Sequence, residues 1–303
     1  WTAIGSPIGT ARVDVARAAL LDGASATALA TAAAERLDQL GAKGLAIQAR
    51  HAVDRATERS RNEVEIRTLG GFEVDVADEP VPISAWQSRV ARELLGRLVS
   101  SRGRPLNREQ LVEQFWPDDD SAKAANRLSV ALSTIRGVLD PERAHAADHY
   151  VRTDRNAVAL STEHLSIDVF DFLDRAEEGS RLLSSDREHG LALLRSAERL
   201  YIGEFLPEEP YADWAFTLRE EARATYLTIA GVLAEEDTAT GDHESATRRY
   251  LRMLERDEYE ERAHLGVIAA MTALQRHGTA RRLYATYATR MAEIGIEPAT
   301  FPS

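Results

Sequence analysis

The sequence predicts a mainly α protein. A winged helix-turn-helix with a small antiparallel sheet and a C-terminal hairpin is followed by an all-α tetratricopeptide-like domain and preceded by a helical repeat-like segment. Three observations carry this reading. The hydrophobic period changes from helical to alternating at Val64; a sheet, three helices and a hairpin then follow in that order; and beyond them a short pattern returns after 34 residues. The expected domain bounds are 1–62, 63–161 and 162–303.

Residues 10–60 read as helical throughout. They are alanine-rich, with Leu20, Leu21, Leu29, Leu37, Leu40, Leu45, Ile47 and Val53 spaced for amphipathic faces and breaks near Asp22-Gly23 and Gly41-Gly44. Two readings stand. The segment is the end of a helical-repeat array, whose units bury their faces only by stacking on a neighbour, or a helical linker that packs on the rest of the chain. The charged run Arg55–Asn62 is its end or a hinge. Beginning at Trp1, the chain is expected to be a piece of a longer protein.

From Val64 the pattern is that of strands: Val64 and Ile66, then Phe72, Val74 and Val76, punctuated by Gly70-Gly71. Asp78-Glu79-Pro80 should turn the chain toward Val81 and Ile83. Three helices are predicted next. The first covers about Gln87–Ser100 and stops at Ser101-Arg102-Gly103. The second covers about Asn107–Trp116, with Asn107 as N-cap and Pro117 as stop. The third covers about Ala122–Leu139, started by Ser121 and ended at Asp140-Pro141. Tyr150–Leu160 reads as a hairpin with Asp154-Arg155-Asn156 at its tip. From Ser166 the chain is helical again. Ala246, Arg248 and Tyr250 recur as Ala280, Arg282 and Tyr284, and Gly241-Asp242 precedes the first copy. A 34-residue period with Ala at the close-packing position is the tetratricopeptide signature.

Composition limits what such a chain does. With 44% apolar residues it can bury more than one core. No stretch is apolar enough to span a bilayer, and the N-terminus does not read as a signal peptide, so a soluble cytoplasmic protein is expected. Without cysteine the chain has no disulfide, thiolate metal site or cysteine nucleophile. The formal charge of −12 is uneven: +1 over 1–60, −2 over 61–161 and −11 over 162–303, with +3 inside 87–139. Local field governs binding to a polyanion, so the overall sign does not exclude nucleic acid.

The third helix of the middle region carries the candidate binding surface. At 100° per residue, Ala125, Leu128, Leu132, Ile135 and Leu139 fall inward, and Lys123, Asn126, Arg127, Val130, Ser133 and Thr134 fall outward. That outward face has no carboxylate. An arginine fork suits guanine O6/N7, an amide suits adenine, and an apolar group suits a thymine methyl. Arg136 on the flank is placed for a phosphate, Arg152 and Arg155 in the hairpin for the neighbouring minor groove, and Arg104 and Arg108 near the second helix for the backbone. The competing account is that these are the solvated residues of an ordinary amphipathic helix. The order of elements and the arginines of the hairpin favour the binding surface.

These residues also carry a family resemblance. Leu69-Gly70-Gly71-Phe72-Glu73-Val74, Phe115-Trp116-Pro117-Asp118 and Asn126-Arg127-Leu128 through Ile135-Arg136-Gly137-Val138-Leu139 resemble the OmpR-type winged helix of the Streptomyces antibiotic regulatory proteins. Asp168-Val169-Phe170, Tyr201-Ile202-Gly203-Glu204-Phe205-Leu206-Pro207, Trp214, Arg219, Glu255-Arg256-Asp257 and Gly295-Ile296-Glu297-Pro298 resemble the bacterial transcriptional activator domain that follows it in those regulators. The resemblance covers about 64–300. It implies a transcriptional activator that binds double-stranded promoter DNA side by side at direct repeats, pairs with a second copy there, and recruits RNA polymerase subunits. It puts the base-reading role on Ala122–Leu139 and the wing role on Val151–Leu160. Many relatives have a Gly-Tyr pair in the wing where this chain has Asn156-Ala157-Val158. Residues 1–60 instead resemble the end of a tetratricopeptide or MalT-like sensor module.

Other constellations carry less. His145 and His149, four apart, have metal-ligand spacing but lack a third ligand in the sequence. Asp118-Asp119-Asp120 suits a cation or, better, the positive end of the third helix. Tyr201, Phe205, Tyr211, Trp214 and Phe216 are expected to cluster as core rather than as a ligand pocket. No phosphate-binding loop or nucleophile elbow is present, so neither an enzymatic site nor a cofactor is expected. Two alternative functions remain from the residues alone: a protein-interaction scaffold, suggested by the acidic C-terminal half, and an effector-binding helical domain.

Overall fold

The computed structural model describes residues 7–18, 23–42, 45–46, 49 and 64–301. They form two compact units, one of residues up to 66 with 73–166, the other of 67–72 with 167 onward. The first unit opens with two helices, α1 (Pro7–Ala18) and α2 (Gly23–Gln39). Small side chains let them approach closely: Ala11, Ala34, Leu37, Ala46 and Ala49 form one buried cluster, with Val15, Ala42 and Leu45 packed on it. Arg36 pairs with Asp14 at 3.1 Å. Gly41, at φ +73°, ends α2, and Ala42 N donates back to Leu37 O at 2.9 Å, so the last carbonyls are satisfied. The helical expectations at Leu20, Leu21, Ile47, Val53 and Arg55–Asn62 lie outside the described residues.

Strands β1 (Val64–Arg67), β2 (Glu73–Val76), β3 (Glu79–Pro80) and β7 (Ser166–Ile167) form a sheet in the order β3-β2-β1-β7. The turn differs from expectation. Ala77 and Asp78, both at positive φ, make the two-residue reversal, and Glu79–Pro80 is already strand, paired through Val76↔Glu79 and Asp75↔Pro80. Pro80 is tolerated because β3 is an edge strand, where a missing N–H need not break a ladder. Ile83 leaves the sheet for a 3₁₀ turn, Ile83–Trp86; Ile83 is exposed and Trp86 is buried.

Three helices follow, each with a side-chain cap. α3 (Arg89–Ser100) starts two residues later than predicted, because Ser88 Oγ accepts from Val90 N and Ala91 N. α4 (Arg108–Phe115) starts at the predicted cap, Asn107, whose Oδ1 accepts from Glu109 N at 2.7 Å. α5 (Ser121–Leu139) is capped by Asp120, not Ser121; its Oδ1 accepts from Lys123 N at 2.9 Å. The hairpin is β5 (Val151–Thr153) and β6 (Ala157–Leu160). Asp154 Oδ1 closes its tip by accepting from Asn156 N and Ala157 N, each at 2.7 Å. A third strand absent from the sequence reading, β4 (Leu106–Asn107), pairs with β6 through Leu106↔Val158, giving the order β4-β6-β5. This is a winged helix-turn-helix.

The second unit is helical: α6 (Asp168–Leu182), α7 (Arg187–Leu200), α8 (Asp213–Ala239), α9 (His243–Arg256), α10 (Glu261–Ala273) and α11 (His277–Glu293). The repeat is visible in its geometry. α9 and α11 begin at His243 and His277, α8 and α10 end at Ala239 and Ala273, and Ala246 and Ala280 are both fully buried. The aromatic position shifts. Tyr250 is buried, but in the second copy Tyr287 takes the core place, while Tyr284 stays half-buried with its hydroxyl donating to Ala299 O. Arg249 ties α7, α8 and α9 together through Glu198 and Asp237. The expected aromatic cluster splits. Tyr201 and Phe205 are buried, and Tyr201 stacks on Tyr226 with centroids 4.4 Å apart, whereas Tyr211 and Phe216 are exposed.

Residues 67–72 belong to this unit. Thr68 N, Thr68 Oγ1, Leu69 N and Val169 N all donate to the Asp168 carboxylate at 2.7–2.9 Å. Leu69 bridges to Phe205, Gly70 N donates to Glu204 O, and Phe72 N donates to Glu208 Oε1. Gly70-Gly71 is therefore more than strand punctuation. A Cβ on Gly203 would lie 2.6 Å from Gly70 Cα, so the two backbones meet only because Gly203 has no side chain. Arg219 fixes the facing loop by donating to the carbonyls of Phe205, Leu206, Glu209 and Pro210.

Candidate nucleic-acid interface

α5 packs against α3, α4 and the 3₁₀ turn, and so buries a broad arc: Ala124, Leu128, Ala131, Leu132, Ile135, Val138 and Leu139. Each large aliphatic side chain in that arc contributes about 1.5–3 kcal/mol by leaving water. The position and width of the arc correct two expectations. Ala125 is exposed, and Ala124 takes the inward place. Thr134 is only 9% exposed, and its Oγ1 donates to Val130 O at 3.1 Å, so it is withdrawn from the outer face. Lys123, Asn126, Arg127 and Ser133 are exposed, and Val130 is 55% exposed. α5 itself carries no acid.

An acid nevertheless reaches that face from the loop before it. Asp119 Oδ1 lies 2.8 Å from Lys123 Nζ, and Asp119 Oδ2 lies 2.6 Å from Arg127 Nη1. The Asp119 side chain is 12% exposed, against 55% for Lys123 and 49% for Arg127. The hydrogen bond from Lys123, with the charges of Arg127 and Lys123, holds its carboxyl below the ordinary aspartate value against the opposing effect of burial. The sequence reading gave this aspartate to helix capping. Only Asp120 caps.

Arg136 is also placed differently from expectation. It is half-buried, and its Nη2 donates to Val151 O and to Thr153 Oγ1, each at 2.9 Å. It holds the hairpin to α5 rather than projecting toward a phosphate. In the hairpin, Arg155 is exposed at the tip, and Arg152 is exposed with Glu163 at 3.9 Å. Arg104 is exposed, its Nε donating to Ser101 O at 3.1 Å. Arg108 is half-buried beside Asn156 O, which its backbone N–H reaches at 2.9 Å.

The structure adds a histidine stack beside the hairpin. His149 lies between His145, at 4.2 Å between centroids, and His164, at 4.0 Å, with all three rings nearly parallel. His145 and His149 sit in the irregular segment after α5, not on a helix. Parallel rings direct their in-plane nitrogens into separate planes, not toward one ion. Among the described residues no group of three or more His, Cys, Asp or Glu is arranged to hold a metal. Nor is any helix among them long and apolar enough to cross a membrane.

Two family models match this geometry. Residues 87–157 match the family described as transcriptional regulatory protein, C terminal, and residues 167–301 match the bacterial transcriptional activator domain. The chain has the domain pair of the Streptomyces antibiotic regulatory protein type. Both matched families of this regulator type are parts of transcriptional regulators rather than enzymes. No curated protein sequence matches the chain significantly. Among solved structures it is similar to Mycobacterium tuberculosis EmbR, determined in complex with a low-affinity phosphopeptide, with a TM-score of 0.66 at 19% identity. The likeness covers 79% of this chain and 62% of EmbR, so the chain spans less than two thirds of that protein, and at this identity it establishes the shared fold.

Proposed function

We propose that this protein is a sequence-specific transcriptional activator that reads promoter DNA with α5 in the major groove and β5–β6 alongside it. One observation carries the reading. On the outward side of the third helix, Asn126, Arg127, Val130 and Ser133 stand exposed, and that helix has no carboxylate of its own. Arg127 and Asn126 serve base edges, while Lys123, Arg104, Arg108, Arg152 and Arg155 serve the phosphates. Arg136 acts on the wing, and Thr134 is left out of the readout. Two copies bind side by side on direct repeats, and the acidic helical unit engages RNA polymerase and passes on regulation from the helical segment before it.

The test starts by selecting bound sequences from a random DNA pool, which should return a half-site repeated at a helical-turn spacing. Arg127→Ala should then weaken binding to the selected site by about 1–3 kcal/mol and relax preference at one base position. Unchanged affinity and unchanged base preference would defeat the proposal.

A further inference from the structure

We infer that Asp119 sets the specificity of the α5 surface by pairing with its two cations while leaving one edge of the Arg127 guanidinium for a base. The inference rests on the promoter-reading proposal above and adds a residue to it. The Asp119 carboxylate comes from the turn before the helix, where its own backbone N–H donates to Trp116 O at 3.2 Å. It is mostly withdrawn from solvent, yet it meets the two cations of the outward face, Lys123 and Arg127, at 2.8 and 2.6 Å. It takes no part in capping, which belongs to Asp120, so helix formation does not account for its position.

Two consequences follow from one carboxylate between two cations. A phosphate approaching Lys123 or Arg127 meets a local charge of +1 instead of +2, so sequence-independent attraction is weakened. A guanine loses less, because its demand is geometric. Nη1 lies against Asp119 in an ion pair that lacks hydrogen-bond geometry, and with no other ion pair from Arg127 among the described residues the Nε–Nη2 edge remains to donate to O6 and N7. The ion pair also keeps the guanidinium beside Asp119, which lowers the ordering cost of a bidentate contact. Asp119 thus suppresses the contact that carries no sequence information and prepares the one that does. It is a positioning residue acting through Arg127.

The experiment uses Asp119→Asn, which keeps the shape and removes the charge, in the otherwise intact protein. It measures affinity for the selected site and for scrambled duplex across a salt series. Scrambled-duplex binding should tighten about three- to tenfold, with a salt slope steeper by about one. The ratio of selected to scrambled affinity should fall about tenfold or more. In an Arg127→Ala background, Asp119→Asn should no longer change that ratio, since the effect on readout passes through Arg127. A ratio unmoved by Asp119→Asn overturns the inference, as does a fall that persists undiminished without Arg127. If Arg127→Ala alone leaves binding to the selected site untouched, the promoter-reading proposal itself has failed, which is a separate result.

Discussion

Arg136 holds Val151: its Nη2 donates to the Val151 carbonyl at 2.9 Å and, from the same nitrogen, to the neighbouring Thr153 hydroxyl at 2.9 Å. The last turn of α5 therefore carries the first strand of the hairpin, and the exposed face of the helix and the hairpin tip are fixed relative to each other by one guanidinium. Burial lowers the guanidinium pKa, an effect the nearby Arg108 charge reinforces and Asp148 opposes, but it stays charged throughout the physiological range.

Replacing Arg136 with Ala should loosen the hairpin without unfolding the helices. Two charge-assisted hydrogen bonds at a half-exposed site, discounted for solvent screening, suggest a loss of about 1–2 kcal/mol. Hydrogen exchange read at Val151–Leu160 should speed up while amides of α3 keep their protection. Equal acceleration in α3 would show that Arg136 supports the whole unit instead.

Asp168→Ala should be the most damaging single change in the helical unit. Burial pushes the Asp168 carboxyl up, while the Thr68 hydroxyl and the backbone N–H groups of Leu69, Thr68 and Val169 pull it down. Removing it leaves those donors buried without an acceptor, at a cost of about 3 kcal/mol or more. Asp168→Asn, which keeps one carbonyl oxygen, should lose roughly half of that. Urea unfolding midpoints of the two variants check the order, and equal midpoints would refute it.

The histidine stack predicts an acid-sensitive first unit. Burial, then the charges of His164 and His145, lower the His149 pKa below its ordinary value, with Asp140 and Asp148 opposing. The fold thus favours neutral His149. Its stabilising contribution is complete above the ordinary histidine pKa and is lost as pH falls toward the depressed value. Between about pH 7.5 and about pH 5.5, the thermal midpoint should drop more in the wild type than in His149→Phe, which keeps the stacking without the proton. Parallel curves for the two proteins would remove His149 as the cause.

What the sequence disclosed was local. Asn107 could be read as a cap because a cap bonds amides two and three residues ahead, and the 34-residue echo could be read because the close-packing alanines must repeat with the helix pairs. Thr134 was misplaced because a helical wheel assumes one packing partner. α5 packs on two helices and the 3₁₀ turn, which shifts and widens its buried arc to take in Thr134 and Ala124 and leaves Ala125 out. The Asp119 pairing escaped because three adjacent aspartates look equivalent, and only the backbone turn after Trp116 separates the cap from the ion pair. Arg136 looked free because its acceptors lie 15 and 17 residues away, in a strand it does not precede directly.

The placement of Thr68 and Leu69 on Asp168 has a practical consequence for dissecting the protein. Their partner lies about a hundred positions downstream, so a fragment cut at the sequence boundary before Asp168 starts with an acidic group that has lost three of its four donors. Such a piece should expose fresh protease sites near its new end and melt less cooperatively than the same helices in the whole chain. A peptide spanning 67–72, added in trans, should restore part of what the excision removed.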